Sequence, residues 1–262
     1  MEKQKITPKQ LEILHLLYRF RFLDRIQIQR FLNHKNHRRI IAWLNDLTKK
    51  NIIGRKYSNK LKENTKPAIY HLSTKSREIL IEDSKTDEKI LKRVYREKTR
   101  SKRLIDHCLL VANIYFYLKD QMLKSGNVLH FYTKTDLSTH YYLPYKRPDA
   151  YIAIESAKET KRYFLEIIDE GTPRFMLRSK IAQYVEYFEE GTWNNKIGHP
   201  NPAILLVCPD ETIKAFLFKH IAQVLEEEAE VEINFYLSTK DIIEESQLSG
   251  NVWEKVVESD EY

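Results

Sequence analysis

Cysteine is scarce. The 262-residue chain has two, Cys108 and Cys208, far apart and each inside an apolar run. That excludes a disulfide framework and points to free, buried thiols in a reducing compartment. No Cys/His spacing of the zinc-binding kind occurs. His15, His34, His37 and His71 lack acidic neighbours at ligand spacing, so they read as surface or capping residues. No apolar run is long enough to span a bilayer, and the Lys- and Gln-rich start has no apolar signal core. These absences set the expectation of a cytoplasmic protein. No heptad marks a dimer helix, which leaves open a homodimer on paired half-sites.

What the chain does have is an uneven charge. Apolar residues make up 42% and charged residues 31%, an ordinary globular balance, and the length allows one large domain or two small ones. Residues 1–100 carry 26 Lys+Arg against 11 Asp+Glu, while the remainder carries 18 against 26. A basic half joined to an acidic half implies a division of labour in which the first part grips a polyanion.

The basic half opens with helix signals. Thr7-Pro8-Lys9-Gln10 is a capping box with proline in the first turn, and Leu11, Ile13, Leu14, Leu16 and Leu17 give the helix behind it a broad apolar face. Asp24-Arg25-Ile26-Gln27 repeats the box and opens a short helix. A third helix is expected from about Asn36 to Lys50, with Ile40, Leu44 and Leu47 on one face. A basic hairpin follows, carrying Arg55, Lys56, Lys60, Lys62 and Lys66 and returning as Ala68 to Leu72. Three short helices and a basic hairpin form the winged helix-turn-helix pattern. Lys35, Asn36, His37, Arg38 and Arg39 stand at the end of the third helix that reaches base edges in such proteins. Arg and Asn suit guanine and adenine, and the hairpin lysines suit phosphates. The expected partner is double-stranded DNA. An RNA-binding module fits less well, since the aromatic residues lie mainly in apolar strands rather than on an exposed stacking platform.

The expected domains are 1–82, the winged helix; 83–100, a charged connecting segment that is either solvated or a second strip of DNA contacts; 101–245; and an acidic tail, 246–262. The third reads as a long amphipathic helix (Leu104 to Lys124), a strand (Val128 to Tyr132), a hairpin, a helix (Arg174 to Glu190), a buried strand (Ala203 to Cys208), a helix to about Glu228, and a last strand (Val231 to Leu237). Near-continuous apolar strands interleaved with helices predict an α/β sandwich with a mixed sheet.

The hairpin is the informative part. Asp149 opens one strand and Glu166 lies inside Phe164-Leu165-Glu166-Ile167-Ile168, across a turn read as Glu155 to Lys161. Carboxylates are poor strand formers and rarely buried without a partner, and a divalent cation is one such partner. Folding the hairpin about its turn puts Asp149 diagonal to Glu166 on one face, within reach of a shared ion.

The order helix, strand, strand, strand, helix, strand, helix, strand, with Arg147-Pro148-Asp149-Ala150-Tyr151 and Phe164 to Thr172 in it, resembles the PD-(D/E)xK nuclease superfamily. More narrowly, with Lys180, Tyr184, Tyr187 and Val207-Cys208-Pro209-Asp210 following in order, the chain resembles the replication-relaxation family, relatives of MOBC-type relaxases. The resemblance implies an α+β protein, a winged helix followed by a PD-(D/E)xK nuclease-like domain. It covers nearly the whole chain. It implies a site-specific, metal-dependent nicking activity that starts plasmid mobilisation, conjugation or replication, with other mobilisation or replication proteins as partners.

In that reading Asp149, Glu166 and Asp169 are the candidate ligands of Mg²⁺ or Mn²⁺. Strand alternation turns Asp169 to the opposite face unless a bulge re-aims it. The superfamily's lysine would fall at position 168, where this chain has Ile168, so the resemblance assigns the role to Lys180 on the next helix. Tyr184, one turn further along, is a candidate to contact the phosphate or to attack it, with core packing the more ordinary role for it and for Tyr187. The competing reading is a DNA-binding regulator or accessory protein with a degenerate nuclease-like domain, in which Asp149 and Glu166 merely pair with Lys180, Arg147 or Arg174.

Overall fold

In the computed structural model, which describes residues 6–57, 65–83, 86–227, 231–245 and 252–257, the chain divides into two compact units, 1–113 and 114–262. The first begins with α1 (Pro8–Phe20), where the Thr7 hydroxyl accepts from the Gln10 N–H and the Gln10 carboxamide accepts from the Thr7 N–H. β1 (Phe22–Asp24) leads into α2 (Arg25–Phe31), capped reciprocally by Asp24 and Gln27. α3 (His37–Lys49) buries Ile40, Leu44 and Leu47, the apolar stripe expected of it. β2 (Ile53–Lys56) and β3 (Ile69–Leu72) complete an antiparallel three-stranded sheet ordered β1-β3-β2. Gly54 faces the buried His71, and a Cβ there would overlap the imidazole ring, so only glycine fits.

α4 (Ser76–Leu80), α5 (Glu88–Leu91), a 3-10 helix (Lys92–Thr99) and the first half of α6 (Lys102–Ser125) belong to this unit. The division at Asn113 and Ile114 lies well beyond the charged stretch 83–100, and the packing explains why. Gln27 donates to the Leu109 carbonyl at 2.9 Å and to Asn113 Oδ1 at 2.7 Å, while Ile105 and Cys108 pack on Phe22. Leu91, Val94 and Glu97 are all buried within the charged stretch.

The second unit holds a six-stranded mixed sheet in sequential order. β4 (Val128–Thr133), β5 (Ala150–Glu155) and β6 (Thr160–Ile167) are antiparallel neighbours. α7 (Arg174–Glu189) and the short α8 (Thr192–Ile197) lead to β7 (Ala203–Cys208), which lies parallel to β6. α9 (Glu211–Glu227) leads to β8 (Phe235–Thr239), parallel to β7. α10 (Lys240–Glu245) follows, and β9 (Glu254–Lys255) closes the edge antiparallel to β8. The molecule is therefore α+β, with the mixed sheet expected.

Three details differ from the sequence reading. The last long strand begins at Phe235 rather than Val231, and α8 lies between the helix and the Ala203 strand, where no element was expected. Part of the polar tail supplies β9, held by buried Val252 and Val256. Too few apolar residues stand in 246–262 for a strand pattern to show; the pairing with β8 creates it.

Alternation sorts the sheet into two faces. Phe164, Ile204, Leu206, Cys208, Phe235 and Leu237 pack with α7 and α9 in one apolar core. Ile152, Tyr163, Leu205 and Tyr236 line a cavity of about 230 Å³ with α6 and Trp253. Both cysteines are free and buried, and burial pushes the Cys208 thiol up to about 12. Among the described residues no helix is long and apolar enough to cross a membrane.

Candidate functional site

Glu166 faces the α7 side of the sheet, in register with Phe164 and the core. Only 1% of it is exposed. Burial alone raises its carboxyl pKa, the Lys180 ammonium pulls it back down, and Asp149 pushes it up again; the outcome lies above the ordinary carboxylate range. Both oxygens are engaged by α7. Oε2 accepts from Lys180 Nζ in a close ion pair, and Oε1 accepts from the Tyr184 hydroxyl at 2.7 Å. Lys180 and Tyr184 stand four residues apart, so one helical face delivers both.

Asp149 sits just ahead of β5 and is 7% exposed. Its Oδ2 accepts from the Ile167 N–H at 2.9 Å, and its own N–H donates to the Leu165 carbonyl at 2.9 Å. These two bonds bracket Glu166. The paired register ends with Ala150 opposite Leu165, and Asp149 lies one residue beyond it. The turn is tighter than expected. The loop is Ser156 to Glu159, closed by the Ser156 N–H on the Glu159 carbonyl, shorter than the Glu155 to Lys161 turn read from sequence. Lys134 Nζ approaches Asp149 Oδ1 at 3.7 Å from a largely exposed position.

Lys180 feels the whole group. Burial works against its charge, but Glu166, Asp149 and Asp169 outweigh that and hold its pKa above the ordinary lysine value. Asp169 is half-buried just past β6 and adds its field without joining a ligand cluster. Among the described residues no three His, Cys, Asp or Glu side chains are grouped to hold a metal ion. The donor chemistry still fits a hard divalent cation: two buried carboxylates with oxygen donors against one half-buried ammonium.

Tyr184 lies in the core. It is 2% exposed, its ring lies among Phe164 and Phe188, and burial followed by the Glu166 charge raises its pKa well above the usual phenol value. Its hydroxyl is committed to Glu166 and orients that carboxylate. Arg147 donates to the Leu143 and Pro144 carbonyls, fastening the loop before Asp149, and Arg174 lies over the Phe216 ring at 4.7 Å.

In the first unit, Lys35, Asn36, His37, Arg38 and Arg39 are all exposed at the start of α3. Asn36 is the N-cap, and its Oδ1 accepts from the Arg38 and Arg39 N–H groups. That commitment removes the acceptor a bidentate contact to adenine needs. Arg39 lies over the Trp43 ring at 5.9 Å. Arg55 and Lys66 are exposed, and Lys56 is half-buried with its Nζ donating to the Lys98 carbonyl at 2.9 Å. Lys60 and Lys62 lie outside the described residues. The sequence reading missed the Tyr184 to Glu166 bond, although Lys180-x-x-x-Tyr184 behind a strand glutamate was its signal. It also missed buried Glu97, whose bidentate partner Arg21 lies 76 residues away.

Two solved structures similar to this chain are of the restriction endonuclease FokI. The first has 13% identity, a TM-score of 0.33, and covers 90% of this chain and 42% of that one. The second, FokI bound to DNA, has 11% identity, a TM-score of 0.32, and covers 90% and 43%. This chain thus spans less than half the length of FokI. No curated protein matches it. The family model described as replication-relaxation matches residues 14–201, well over half of the sequence, and the chain belongs to the replication-relaxation family.

Proposed function

We propose that the protein is a DNA-binding, relaxase-like protein that nicks duplex DNA in a metal-dependent reaction to start mobilisation or replication of a mobile element. The observation that carries this reading is the close trio of Asp149, Glu166 and Lys180, two buried carboxylates from neighbouring chain segments with a half-buried ammonium bonded to Glu166. Asp149 and Glu166 would hold Mg²⁺ or Mn²⁺. Such an ion, when bound, lowers the pKa of a bound water and stabilises charge on a phosphate. Lys180 orients Glu166 and adds positive charge beside the scissile group. Tyr184 fixes the Glu166 rotamer. The first unit, read as a winged helix, would present Lys35, His37, Arg38 and Arg39 to the major groove and Arg55 and Lys66 to phosphates.

A second reading has its own observation. Both Glu166 oxygens already accept from Lys180 and Tyr184, as they would in a regulator that keeps the fold without the chemistry. Supercoiled plasmid bearing the cognate site separates the two. With Mg²⁺ or Mn²⁺ the wild type should nick it, and Asp149→Ala and Glu166→Ala should bind the same DNA without nicking. Equal nicking by the variants removes Asp149 and Glu166 from catalysis. Binding without nicking by the wild type leaves the regulator.

A further inference from the structure

The 3-10 helix Lys92–Thr99 runs for eight residues, long for a conformation usually limited to a turn. Three residues per turn stack positions i and i+3 in one row. Leu91, Val94 and Glu97 fill the inner row and are buried, and half-buried Arg100 extends it. Glu97 anchors that row. The Arg21 guanidinium grips its carboxylate with two hydrogen bonds of 3.0 and 3.1 Å, and Arg93 and Arg100 approach within 3.8 and 3.7 Å. Three guanidiniums around one carboxylate leave the anchor itself with surplus positive charge.

The outer rows are the opposite of a core. Lys92, Tyr95, Arg96 and Lys98 are all exposed, Tyr95 to 59%. The Arg96 guanidinium lies over the Tyr95 ring at 5.0 Å, which stiffens both side chains. Lys56 of β2 donates to the Lys98 carbonyl at 2.9 Å, so the end of the 3-10 helix is tied to the strand that carries exposed Arg55. No acidic side chain other than the buried Glu97 occurs between Lys92 and Lys102.

The geometry points to a second phosphate-contacting strip on the first unit, formed by Lys92, Arg96 and Lys98 with Tyr95 between them. Its ligand is the sugar-phosphate backbone of duplex DNA, and the assignment rests on the DNA-binding reading given above. The strip suits a long regular polyanion because its cations are held on a fixed backbone rather than on a loop. It contacts phosphates and carries no sequence information.

The test is the salt dependence of binding to a labelled mixed-sequence duplex, using the full chain. Each phosphate contact contributes about 0.9 to the slope of log K against log salt. The triple variant Lys92→Ala, Arg96→Ala, Lys98→Ala should lower that slope by roughly 2 to 3 between about 50 and about 200 mM salt. The charge-conserving triple Lys92→Arg, Arg96→Lys, Lys98→Arg should keep the wild-type slope. These side chains are exposed, so melting of either triple should match the wild type. Arg38→Ala with Arg39→Ala serves as the control for the recognition helix. An unchanged slope in the alanine triple, with binding weakened in the control, overturns the strip and leaves the DNA-binding reading intact. Failure of the wild type to bind duplex at low salt overturns both. Binding of duplex RNA with the same slope loss, but not of DNA, also overturns the assignment.

Discussion

Among the described residues each unit buries one glutamate amid charged partners, and the two sit in opposite fields. Glu97 has Arg21, Arg93 and Arg100 within 4 Å, so the cluster is short of negative charge. Burial, with the neighbouring Arg21 charge, lowers the Arg93 guanidinium to about 10. Glu166 has the half-buried Lys180, shared with buried Asp149, and the other cation within 4 Å of that pair is the largely exposed Lys134, so burial leaves Glu166 the less compensated of the two glutamates. The same residue type, equally buried, is in one place the countercharge and in the other the surplus. A surplus of buried carboxylate is what a divalent cation relieves; a surplus of guanidinium is what a phosphate relieves. Under the proposed function, that difference suits the two units to different tasks.

The largest effect should come from the first cluster. Glu97→Gln leaves three guanidiniums around a neutral amide. Removing one partner of a buried ion pair costs about 3–5 kcal/mol. The arginines keep 21–31% exposure, so water screens part of this and the low end, about 3 kcal/mol, applies. Urea unfolding of the full chain should show it as a lower midpoint at unchanged m. A midpoint equal to the wild type would mean that Glu97 is not the countercharge of that group.

Next in size is the hydroxyl that holds Glu166. Tyr184→Phe keeps the ring contacts to Phe164 and Phe188 and removes one donor from a buried carboxylate. The expected loss is about 1–2 kcal/mol at neutral pH, since a buried acceptor is left with one partner fewer. The Tyr184 bond also favours the ionised carboxylate, so the Glu166 pKa should rise further in the variant. A variant as stable as the wild type would show that water replaces the hydroxyl, which would make the site more open than its burial indicates.

The contrast between the clusters was only half legible in the sequence. The acidic hairpin stood out because a glutamate between Phe164-Leu165 and Ile167-Ile168 violates the strand pattern, and its neighbours on both sides are buried as the pattern requires. Both capping boxes, at Thr7 and Asp24, were readable because their partners lie three residues apart. The Ala203–Cys208 strand was readable because it is apolar throughout. Glu97 was hidden because its main partner, Arg21, lies 76 residues away and follows a helix end at φ 69, a conformation no local rule assigns to arginine. β9 was hidden for the same kind of reason, as its pairing with β8 is wholly tertiary. The turn after β5 was read three residues too long because a four-residue loop and a seven-residue one are not distinguished by polarity alone.

The smallest effect is the one that defines the second cluster. Glu166→Gln removes one of two carboxylates and leaves Lys180 with Asp149, so at neutral pH the cost should stay under about 1 kcal/mol, far below that of Glu97→Gln. Its signature lies in the pH dependence of the metal-free protein. Burial raises the Glu166 pKa above the ordinary 4.5, so the folded state binds that proton more tightly than the unfolded state does. The resulting stability is fully present below 4.5 and is lost as pH rises through the raised value. Glutamine does not titrate. Wild type should therefore lose stability relative to Glu166→Gln as pH climbs through that window, measured by urea unfolding in chelator at each pH. A gap that moves the other way would mean that Lys180 overcompensates the carboxylate. The second cluster would then be a closed ion pair like the first, with no surplus charge for a cation to meet.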